Sequence, residues 1–137
     1  MNFKCGFGNI YASNDDRERQ AFWEELGIVI NSMEISWCLR GDFNTVRSVE
    51  EKIGSGFNYS AMFQFSSFIE EIGCIDLPLT GGKYTWSSNR VEPTYCRLDR
   101  FLISPRISLT FANLKQNVLP RSLSDHNAIS LAIEKIN

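Results

Sequence analysis

The sequence contains no apolar run long enough to cross a membrane, and its first residues lack the apolar core of a secretory signal. Paired-cysteine motifs are missing: the four cysteines form no Cys-x-x-Cys pair, and none lies near the single histidine. This spacing excludes a zinc motif and a redox motif. Cys38, Cys74 and Cys96 lie within apolar segments, so we expect free, buried thiols in a reducing compartment. We therefore expect a soluble intracellular protein, nuclear or cytoplasmic, that is not secreted and has no membrane partner.

Internal repeats, low-complexity tracts and linker-like segments are also missing. The chain has 137 residues, of which 43% are hydrophobic and 12% aromatic. That composition excludes a disordered protein and supplies enough apolar surface for one domain with a core. The length is too short for two domains.

The small net charge of −2 hides an uneven distribution along the chain. Residues 1–77 contain six Lys/Arg and twelve Asp/Glu, a balance of −6, whereas residues 78–137 contain eight and four, a balance of +4. Arg97, Arg100 and Arg121 belong to the basic second part, which also contains several aromatic residues. Such a surface could bind a polyanion, although ordinary surface charge accounts for it nearly as well.

The hydrophobic pattern changes along the chain from alternating strands and helices to strands alone. Asp15 and Asn58 are suitable helix N-caps, and Gly73 is a suitable helix end. The pattern predicts helices over residues 16–33 and between Asn58 and Gly73, with a short helix or turn from Pro105. The predicted strands cover residues 3–12, 35–39, 75–77, 83–87, 95–104, 114–119 and 127–133, with a Gly81-Gly82 turn before the fourth. This order predicts an α/β (α+β) layered fold.

The first candidate site follows the strand predicted at residues 35–39 and reads Gly41-Asp42-Phe43-Asn44. Glycine permits a tight turn there, and Asp42 and Asn44 lie on one side because they are two residues apart. The carboxylate can hold or deprotonate a water, and the Asn44 amide can donate to a phosphoryl oxygen. The alternative interpretation is an Asx turn that closes the strand without any chemistry.

The second candidate site is Asp125-His126, directly before the last predicted strand. A carboxylate suits Mg²⁺, and a protonated histidine can stabilise the charge that develops on a phosphate. Asp99 could bond the other ring nitrogen of His126 and fix its orientation, or it could pair with Arg97 or Arg100 at the surface. A structural role is the alternative for the aspartate and the histidine of the pair.

Two neighbouring features complete the candidate site. If the segment Arg97-Leu98-Asp99-Arg100 is extended, Arg97 and Asp99 share one face and Leu98 and Arg100 share the other. Trp86 lies in a predicted hairpin and could pack against a sugar or a base, although such a residue more often packs in a core.

Together these motifs resemble the endonuclease/exonuclease/phosphatase superfamily, which includes DNase I and the apurinic endonucleases. They resemble most of all the endonuclease domains of plant LINE-type (non-LTR) retrotransposons, which implies association with a reverse transcriptase. The matching stretches, in the family's order, are Asn9-Ile10-Tyr11-Ala12-Ser13-Asn14, Trp37 to Asn44, Leu79 to Ser87, Arg97 to Ser104 and Ser124 to His126. The resemblance implies a DNase I-like two-sheet β-sandwich flanked by helices. It also implies Mg²⁺- or Mn²⁺-dependent hydrolysis of DNA phosphodiesters.

The resemblance also implies roles for individual residues. Asp42 would orient or deprotonate the attacking water, and Asn44 would position the scissile phosphate. His126 would contact that phosphate while Asp99 orients its ring, and Asp125 would lie beside the divalent ion. Tyr11 would join the catalytic group, and the substrate-binding candidates are Asn14, Trp86, Arg97 and Arg100.

By the same resemblance, residues 1–137 form one partial domain that corresponds to the C-terminal half of the family's domain. The family's first half carries an early Asn and the principal metal-binding Glu, and neither has a counterpart in this sequence. We therefore expect weak metal binding, no turnover by the chain alone, and an apolar sheet face that drives self-association.

Two other functions stay open at this point. The chain could be a non-catalytic remnant that binds nucleic acid or associates with itself. The superfamily also includes enzymes that cleave phosphoinositides and other phosphoesters, and only the retrotransposon-like motifs favour DNA over these substrates.

Overall fold

The computed structural model describes residues 3–134, and within them the chain forms ten strands and three α-helices. The strands are β1 (Cys5–Tyr11), β2 (Ser36–Asp42), β3 (Lys52–Ile53), β4 (Ile75–Asp76), β5 (Leu79–Thr80), β6 (Trp86–Ser87), β7 (Tyr95–Cys96), β8 (Asp99–Ile103), β9 (Leu114–Val118) and β10 (Ile129–Ile133). The helices are α1 (Asp16–Ser32), α2 (Tyr59–Ile72) and α3 (Pro105–Thr110), with a 3₁₀-helix at Val49–Glu51. Among these described helices, none is long and apolar enough to cross a bilayer.

The largest sheet has the strand order β1-β2-β8-β4. β1 and β2 are parallel and are connected through α1, whereas β8 runs antiparallel to both β2 and β4. The register places Leu39 opposite Leu102 and Asp42 opposite Asp99. Two acidic side chains therefore lie side by side where β2 ends and β8 begins.

One face of this sheet packs against α1 and α2. The side chains of Asp15 and Asn58 each accept a backbone N–H in the first turn of these helices, and Gly73 ends α2 with a φ of 67°. The core of this layer is aromatic, and the rings of Trp23 and Phe68 stack with centroids 4.7 Å apart. Burying each such ring stabilises the fold by about 1.5–3 kcal/mol.

The opposite face packs against α3 and a second sheet with the order β10-β9-β5. Phe101, Ile103 and Ile107 are buried between these layers. The fully buried Gln116 connects them, because it accepts the Phe101 N–H and donates to the Leu77 carbonyl, each at 2.9 Å. A buried amide with both of its groups bonded can stay in a core at little cost.

A third, small sheet has the order β3-β7-β6 and contains the hairpin formed by β6 and β7. Trp86 pairs with Cys96 within the hairpin and also forms an isolated bridge with His126. The hairpin therefore fixes the segment that precedes β10 against the rest of the fold.

The mixed α/β fold class and both long helices are confirmed, but three predictions about the strands were wrong. β2 continues to Asp42 instead of ending at residue 39, because its neighbours on both sides pair with it that far. The strand predicted at residues 83–87 is reduced to Trp86–Ser87, which pairs with β7. The strand predicted at residues 95–104 is interrupted between Cys96 and Asp99, where the chain leaves the third sheet and joins the first.

The four cysteines are free, as expected from their spacing. Cys38 and Cys96 are buried, whereas Cys74 is only half-buried. Burial raises the pKa of the Cys74 thiol to about 11, so this group stays protonated at neutral pH. These thiols are therefore structural.

Candidate active site

Three side chains from distant parts of the sequence meet at the edge of the largest sheet, and we call Asp42, Asp99 and His126 the histidine cluster. Asp42 is the last residue of β2 and Asp99 the first of β8, so strand register alone brings the two carboxylates together. His126 reaches them from the segment before β10, which its bridge to Trp86 holds in place. One donor atom from each of the three residues lies within 4.8 Å of the others.

The imidazole of His126 lies between the two carboxylates at unequal distances. Its Nδ1 is 2.7 Å from Asp99 Oδ2, a short hydrogen bond, whereas its Nε2 is 3.6 Å from Asp42 Oδ2. The longer contact exceeds hydrogen-bond distance, so Nε2 is available to a ligand. With its side chain 29% exposed, His126 is open to solvent on that side.

The charges around His126 shift the pKa of two members of the cluster. Burial lowers the pKa of His126, but the hydrogen bond and charge of Asp99, together with Asp42, outweigh it and leave that pKa raised. Burial also raises the pKa of Asp42, against the lowering effect of the Asn44 N–H. At neutral pH the imidazole therefore carries a proton more often than a free histidine, and Asp42 is a stronger base than a free aspartate.

Gly41 is required at the position before Asp42. Its φ is 139°, and a Cβ there would lie 1.9 Å from the Ile10 carbonyl oxygen of the neighbouring strand. Any other residue would push β1 and β2 apart at the point where Asp42 enters the site.

Asn44 serves the site through its backbone and supports the adjacent chain through its side chain. Its N–H donates to Asp42 Oδ1 at 2.8 Å, which is the Asx turn of the alternative interpretation. Its side-chain amide donates to the Ala12 carbonyl at 2.8 Å and so joins the ends of β1 and β2. That bond uses one of the two N–H donors of the amide that we expected to position the phosphate.

Thr85 is a supporting residue that the sequence analysis did not identify. Its fully buried hydroxyl accepts the backbone N–H groups of Leu98 and Asp99, each at 3.0 Å. Its carbonyl accepts the Asn127 N–H. Thr85 thereby fixes both partners of the Asp99–His126 hydrogen bond, and the only signal in the sequence was a small polar residue between Tyr84 and Trp86.

Asp125 lies beside the histidine cluster but not within it. Its carboxylate is exposed and accepts the Trp86 indole N–H at 3.0 Å, a bond that lowers the pKa of Asp125. Asp125 was the predicted metal ligand, yet the carboxylates grouped with the imidazole are Asp42 and Asp99. The indole of Trp86 is half-buried, and its single N–H already donates to Asp125. Only the face of the ring could therefore contact a substrate.

Tyr11 and Asn14 lie close to the end of β2 without touching His126. Tyr11 pairs with Asp42 across β1 and β2, and its ring is 84% exposed. Asn14 lines a cavity of about 210 Å³ together with Asn44. Tyr11 therefore lies beside Asp42, whereas Asn14 lines a neighbouring cavity whose lining includes no member of the histidine cluster.

Arg97 and Arg100 were expected to bind substrate, and their burial contradicts this. They belong to what we call the arginine cluster, which consists of Arg47, Arg97, Arg100, Glu51 and Asp76. Arg100 is fully buried and donates to Glu51 and Asp76, each at 2.8 Å. The predicted alternation fails because the strand begins only at Asp99, so both arginines reach the same two acids.

A cavity of about 500 Å³ opens beside the histidine cluster and is lined by His126, Asp99, Arg40 and Asn9, among others. Arg40 lies two residues before Asp42 on the same face of β2, and its Nε donates to Asn9 Oδ1 at 2.8 Å. Arg40 was not among the predicted site residues, although its position directly before Gly41-Asp42 indicated that it lies near the site.

No protein-family model and no curated protein matches the sequence, but several solved structures match the fold. The 3′-5′ exonuclease NExo from Neisseria meningitidis is 19% identical, with a TM-score of 0.70 over 93% of this chain and 60% of the NExo chain. The endonuclease domain of TRAS1, a telomere-specific non-LTR retrotransposon, is 20% identical, with a TM-score of 0.65 over 94% of this chain and 56% of that domain. These neighbours are DNase I-like nucleases. The chain therefore has a DNase I-like fold over its described residues, and it spans less than two thirds of the length of these structures.

Proposed function

We propose that the chain is part of a divalent-metal-dependent DNA endonuclease of the retrotransposon type, and that turnover needs residues beyond these 137. The observation that carries the proposal is the Asp99–His126–Asp42 array, with one ring nitrogen bonded and the other facing solvent. The fold shared with TRAS1, an endonuclease domain, and with NExo, which has been solved with a product DNA hairpin, favours DNA as the substrate.

Asp99 and His126 act together on the phosphate. The short bond to Asp99 keeps a proton on Nδ1, so a proton on Nε2 points away from Asp99 toward the ligand side. The raised pKa of His126 favours this doubly protonated form. It can donate to a non-bridging phosphoryl oxygen and stabilise the negative charge that builds up during attack.

Asp42 orients the nucleophile. Its Oδ1 accepts the Asn44 N–H, so the carboxylate is fixed while the other oxygen faces the His126 side of the site. Burial raises the pKa of Asp42, which makes the carboxylate a better acceptor for the proton of a water. A water held by Asp42 would approach a phosphate held by His126.

The described residues supply only part of a metal site. Asp42, Asp99 and His126 form a carboxylate and imidazole group that could contribute ligands to Mg²⁺ or Mn²⁺. Mg²⁺ requires six ligands, preferably oxygens, and two of the carboxylate oxygens here are engaged by Asn44 and His126. These residues therefore supply only part of the ligand set of a Mg²⁺ ion.

A plasmid-nicking assay tests the proposal on a chimera in which the complementary part of the TRAS1 endonuclease domain precedes this chain. The folded chimera should nick supercoiled DNA with Mg²⁺, and both His126→Gln and Asp42→Asn should lower the rate by about 10²–10⁴-fold. Glu70→Gln, at an exposed carboxylate of α2, is the matched control and should leave the rate unchanged. Equal rates for all four proteins would refute the roles assigned here.

The chain alone provides a second test, because its single histidine gives one set of imidazole signals. Mn²⁺ at millimolar concentration should broaden the His126 signals, and Asp42→Asn should reduce the broadening. Broadening that is unchanged in this variant would show that the ion binds elsewhere.

A non-catalytic function is the second candidate, and the exposed aromatic residues of β1 favour it. Phe7 and Tyr11 lie on the same face of this edge strand, and they are 80% and 84% exposed. Aromatic rings on an open sheet face can associate with a second copy or stack on nucleic acid bases.

Sedimentation velocity and DNA titration separate this candidate from the first. Self-association through β1 would disappear in Phe7→Ser but persist in Phe63→Ser, which removes an equally exposed ring from α2. Binding to DNA through the basic surface would lose part of its salt dependence in Arg121→Gln. A monomer that does not bind DNA would exclude this candidate.

A further inference from the structure

A groove runs between α1 and α2 on the outer side of the helix layer, away from the histidine cluster. Its volume is about 440 Å³, and the rings of Trp23 and Phe68 lie at its floor. Ile28 of α1 and Phe63 of α2 also line it, and their side chains are 71% and 74% exposed. Two large apolar side chains at one groove, both mostly in water, are typical of a surface that another molecule covers.

The edges of the groove are acidic. Glu24 of α1 and Glu71 of α2 line it and are exposed, and none of the described residues that line it carries a positive charge. The groove therefore combines an apolar floor with negative edges.

The two helix ends add to this negative charge. Asp16, at the start of α1, bonds to Asn58, at the start of α2, and Glu71 approaches Gly27 near the other ends of the helices. The helices are therefore parallel, and their C-terminal ends lie on the same side. Neither helix has a basic residue in its last turn, so the negative ends of both dipoles are uncompensated by the helices' own side chains.

The length of the groove defines the size of its ligand. Its lining runs from Gln20 to Ile28 along α1, which corresponds to about 12 Å of helix. A helix of two to three turns would fill that length and place apolar residues at positions i, i+3 or i+4, and i+7 against the floor.

We propose that this groove binds a short amphipathic helix of a partner protein, with an apolar stripe flanked by Lys and Arg. The apolar stripe covers Ile28 and Phe63, and the basic flanks pair with Glu24 and Glu71. DNA does not fit because its phosphates would face the carboxylates. A second copy of the chain does not fit through this surface because it would bring the same acidic edges.

Calorimetry with a synthetic amphipathic peptide of about 18 residues tests the proposal, because helices shorter than about 12–15 residues are marginal in water. The peptide has a Leu stripe flanked by Lys and Arg, and a second peptide with the same stripe has Glu flanks. The folded chain should bind the basic peptide at least about tenfold more tightly than the acidic one. Equal binding of both peptides, or of neither, would overturn the proposal.

Variants locate the binding site. Phe63→Ser should weaken binding of the basic peptide about tenfold, since it removes an exposed ring that the peptide would cover. Phe7→Ser removes an equally exposed ring from β1 and should leave binding within about twofold of the wild type. If Phe7→Ser weakens binding as much as Phe63→Ser does, the peptide binds elsewhere and the proposal is wrong.

Charge reversal gives the sharpest outcome. The double variant Glu24→Lys, Glu71→Lys should reverse the preference and bind the acidic peptide more tightly than the basic one. An unchanged preference would overturn the proposal. None of these measurements uses DNA or a metal ion, so their outcome is independent of the nuclease function proposed above.

Discussion

The histidine cluster and the arginine cluster both take residues from the short segment between Arg97 and Arg100, yet their charged groups differ in exposure and in bonding. In the arginine cluster three guanidinium groups meet two carboxylates, and the Arg100 side chain is 0% exposed. In the histidine cluster two carboxylates meet one imidazole, and the His126 side chain is 29% exposed. The Arg100–Asp76 pair at the centre of the arginine cluster is therefore closed to solvent, although Arg47 at its margin is 30% exposed, whereas the imidazole of the histidine cluster is open to solvent.

The bonding of each cluster decides whether it can bind a ligand. Both terminal nitrogens of Arg100 donate to protein oxygens, so a ligand would have to break an ion pair to reach them. His126 Nε2 lies 3.6 Å from Asp42, too far for a hydrogen bond, so a ligand can use it directly. The terminal nitrogens of Arg100 are bonded within the protein and hold the fold, although its buried Nε has no hydrogen-bond partner among the described residues. An imidazole nitrogen left without a hydrogen bond near the surface is suited to chemistry.

The arginine cluster nevertheless positions Asp99, a member of the histidine cluster. The backbone N–H of Arg97 donates to the Glu51 carbonyl, and the guanidinium of Arg100 donates to the Glu51 carboxylate. The chain is therefore anchored on both sides of Asp99. We infer that the arginine cluster is a positioning device for the Asp99 carboxylate, even though it does not touch His126.

The largest effect is expected from breaking the arginine cluster. Arg100→Ala would leave Glu51 and Asp76 buried without their main partner, and we expect a loss of about 3–5 kcal/mol in the free energy of unfolding. Urea denaturation measures it. Lys115→Ala is the matched control, because it breaks an ion pair whose side chains are 41% and 59% exposed, and it should cost less than about 1 kcal/mol.

Similar losses for the two variants would contradict the expectation that the buried ion pairs of Arg100 stabilise the fold more than an exposed ion pair does. If Arg100→Ala does not fold, Asp76→Asn provides the same test. It keeps the volume of the side chain, removes the charge that Arg47, Arg97 and Arg100 share, and replaces one of the two accepting oxygens by an NH₂ donor.

A large change in the titration of His126 is expected when its partners are neutralised one at a time. Asp99→Asn should lower the pKa of His126 more than Asp42→Asn does, because Asp99 bonds to the ring at 2.7 Å while Asp42 lies at 3.6 Å. The chain has a single histidine, so proton NMR follows the titration without assignment. A larger effect of Asp42→Asn would reverse the roles given to the two carboxylates.

The convergence of the histidine cluster could be expected from the sequence because its members lie at strand ends. Asp42 and Asp99 occupy the end of one strand and the start of its antiparallel neighbour, where the register places them side by side. His126 comes near them through one bridge to Trp86, a contact between residues 40 positions apart that no local pattern encodes. For this residue, the resemblance to a known family supplied what periodicity could not.

The faces of Arg97 and Arg100 were predicted wrongly because one continuous strand was expected over residues 95–104. A break at Leu98 cancels the alternation, so Arg97 and Arg100 meet the same acids, and these acids come from the 3₁₀-helix and from β4. The pairing of β5 with β9 joins segments that are distant in the sequence, so no local pattern predicted it. Local signals predicted helices and caps well, but not which short strands pair.

The two clusters should stabilise the fold in different pH ranges. Burial raises the pKa of Glu51, but the bonds and charge of Arg100 outweigh it and leave that pKa lowered, so its contribution is present above pH 4.5 and is lost on further acidification. The pKa of His126 is raised, so its contribution is present below pH 6.5 and is lost as the pH rises through the folded pKa. Asp42, with a raised pKa, has the opposite sign to Glu51 and partly offsets the acid loss.

Urea denaturation at a series of pH values measures both contributions. Glu51→Gln should flatten the decline in stability at acid pH and leave the neutral range unchanged in slope. His126→Asn should flatten the decline above pH 6.5, and at acid pH it should act only through Asp42, whose pKa the charged imidazole lowers. A changed slope of Glu51→Gln in the neutral range would show that the two clusters titrate together.

The smallest effect is expected from salt, and it should distinguish the clusters once more. Raising NaCl from about 0.05 to 1 M shortens the screening length to about 3 Å and weakens the attraction across open surfaces. The pKa of His126 should fall slightly toward its ordinary value, because Asp42 acts on it across a gap that solvent can reach. The stability difference between wild type and Arg100→Ala should change by less than about 0.5 kcal/mol, since no salt solution enters a fully buried ion pair. If the stability difference depends on salt as strongly as the pKa of His126 does, solvent reaches the Arg100–Asp76 pair as well. Burial would then not distinguish the arginine cluster from the histidine cluster.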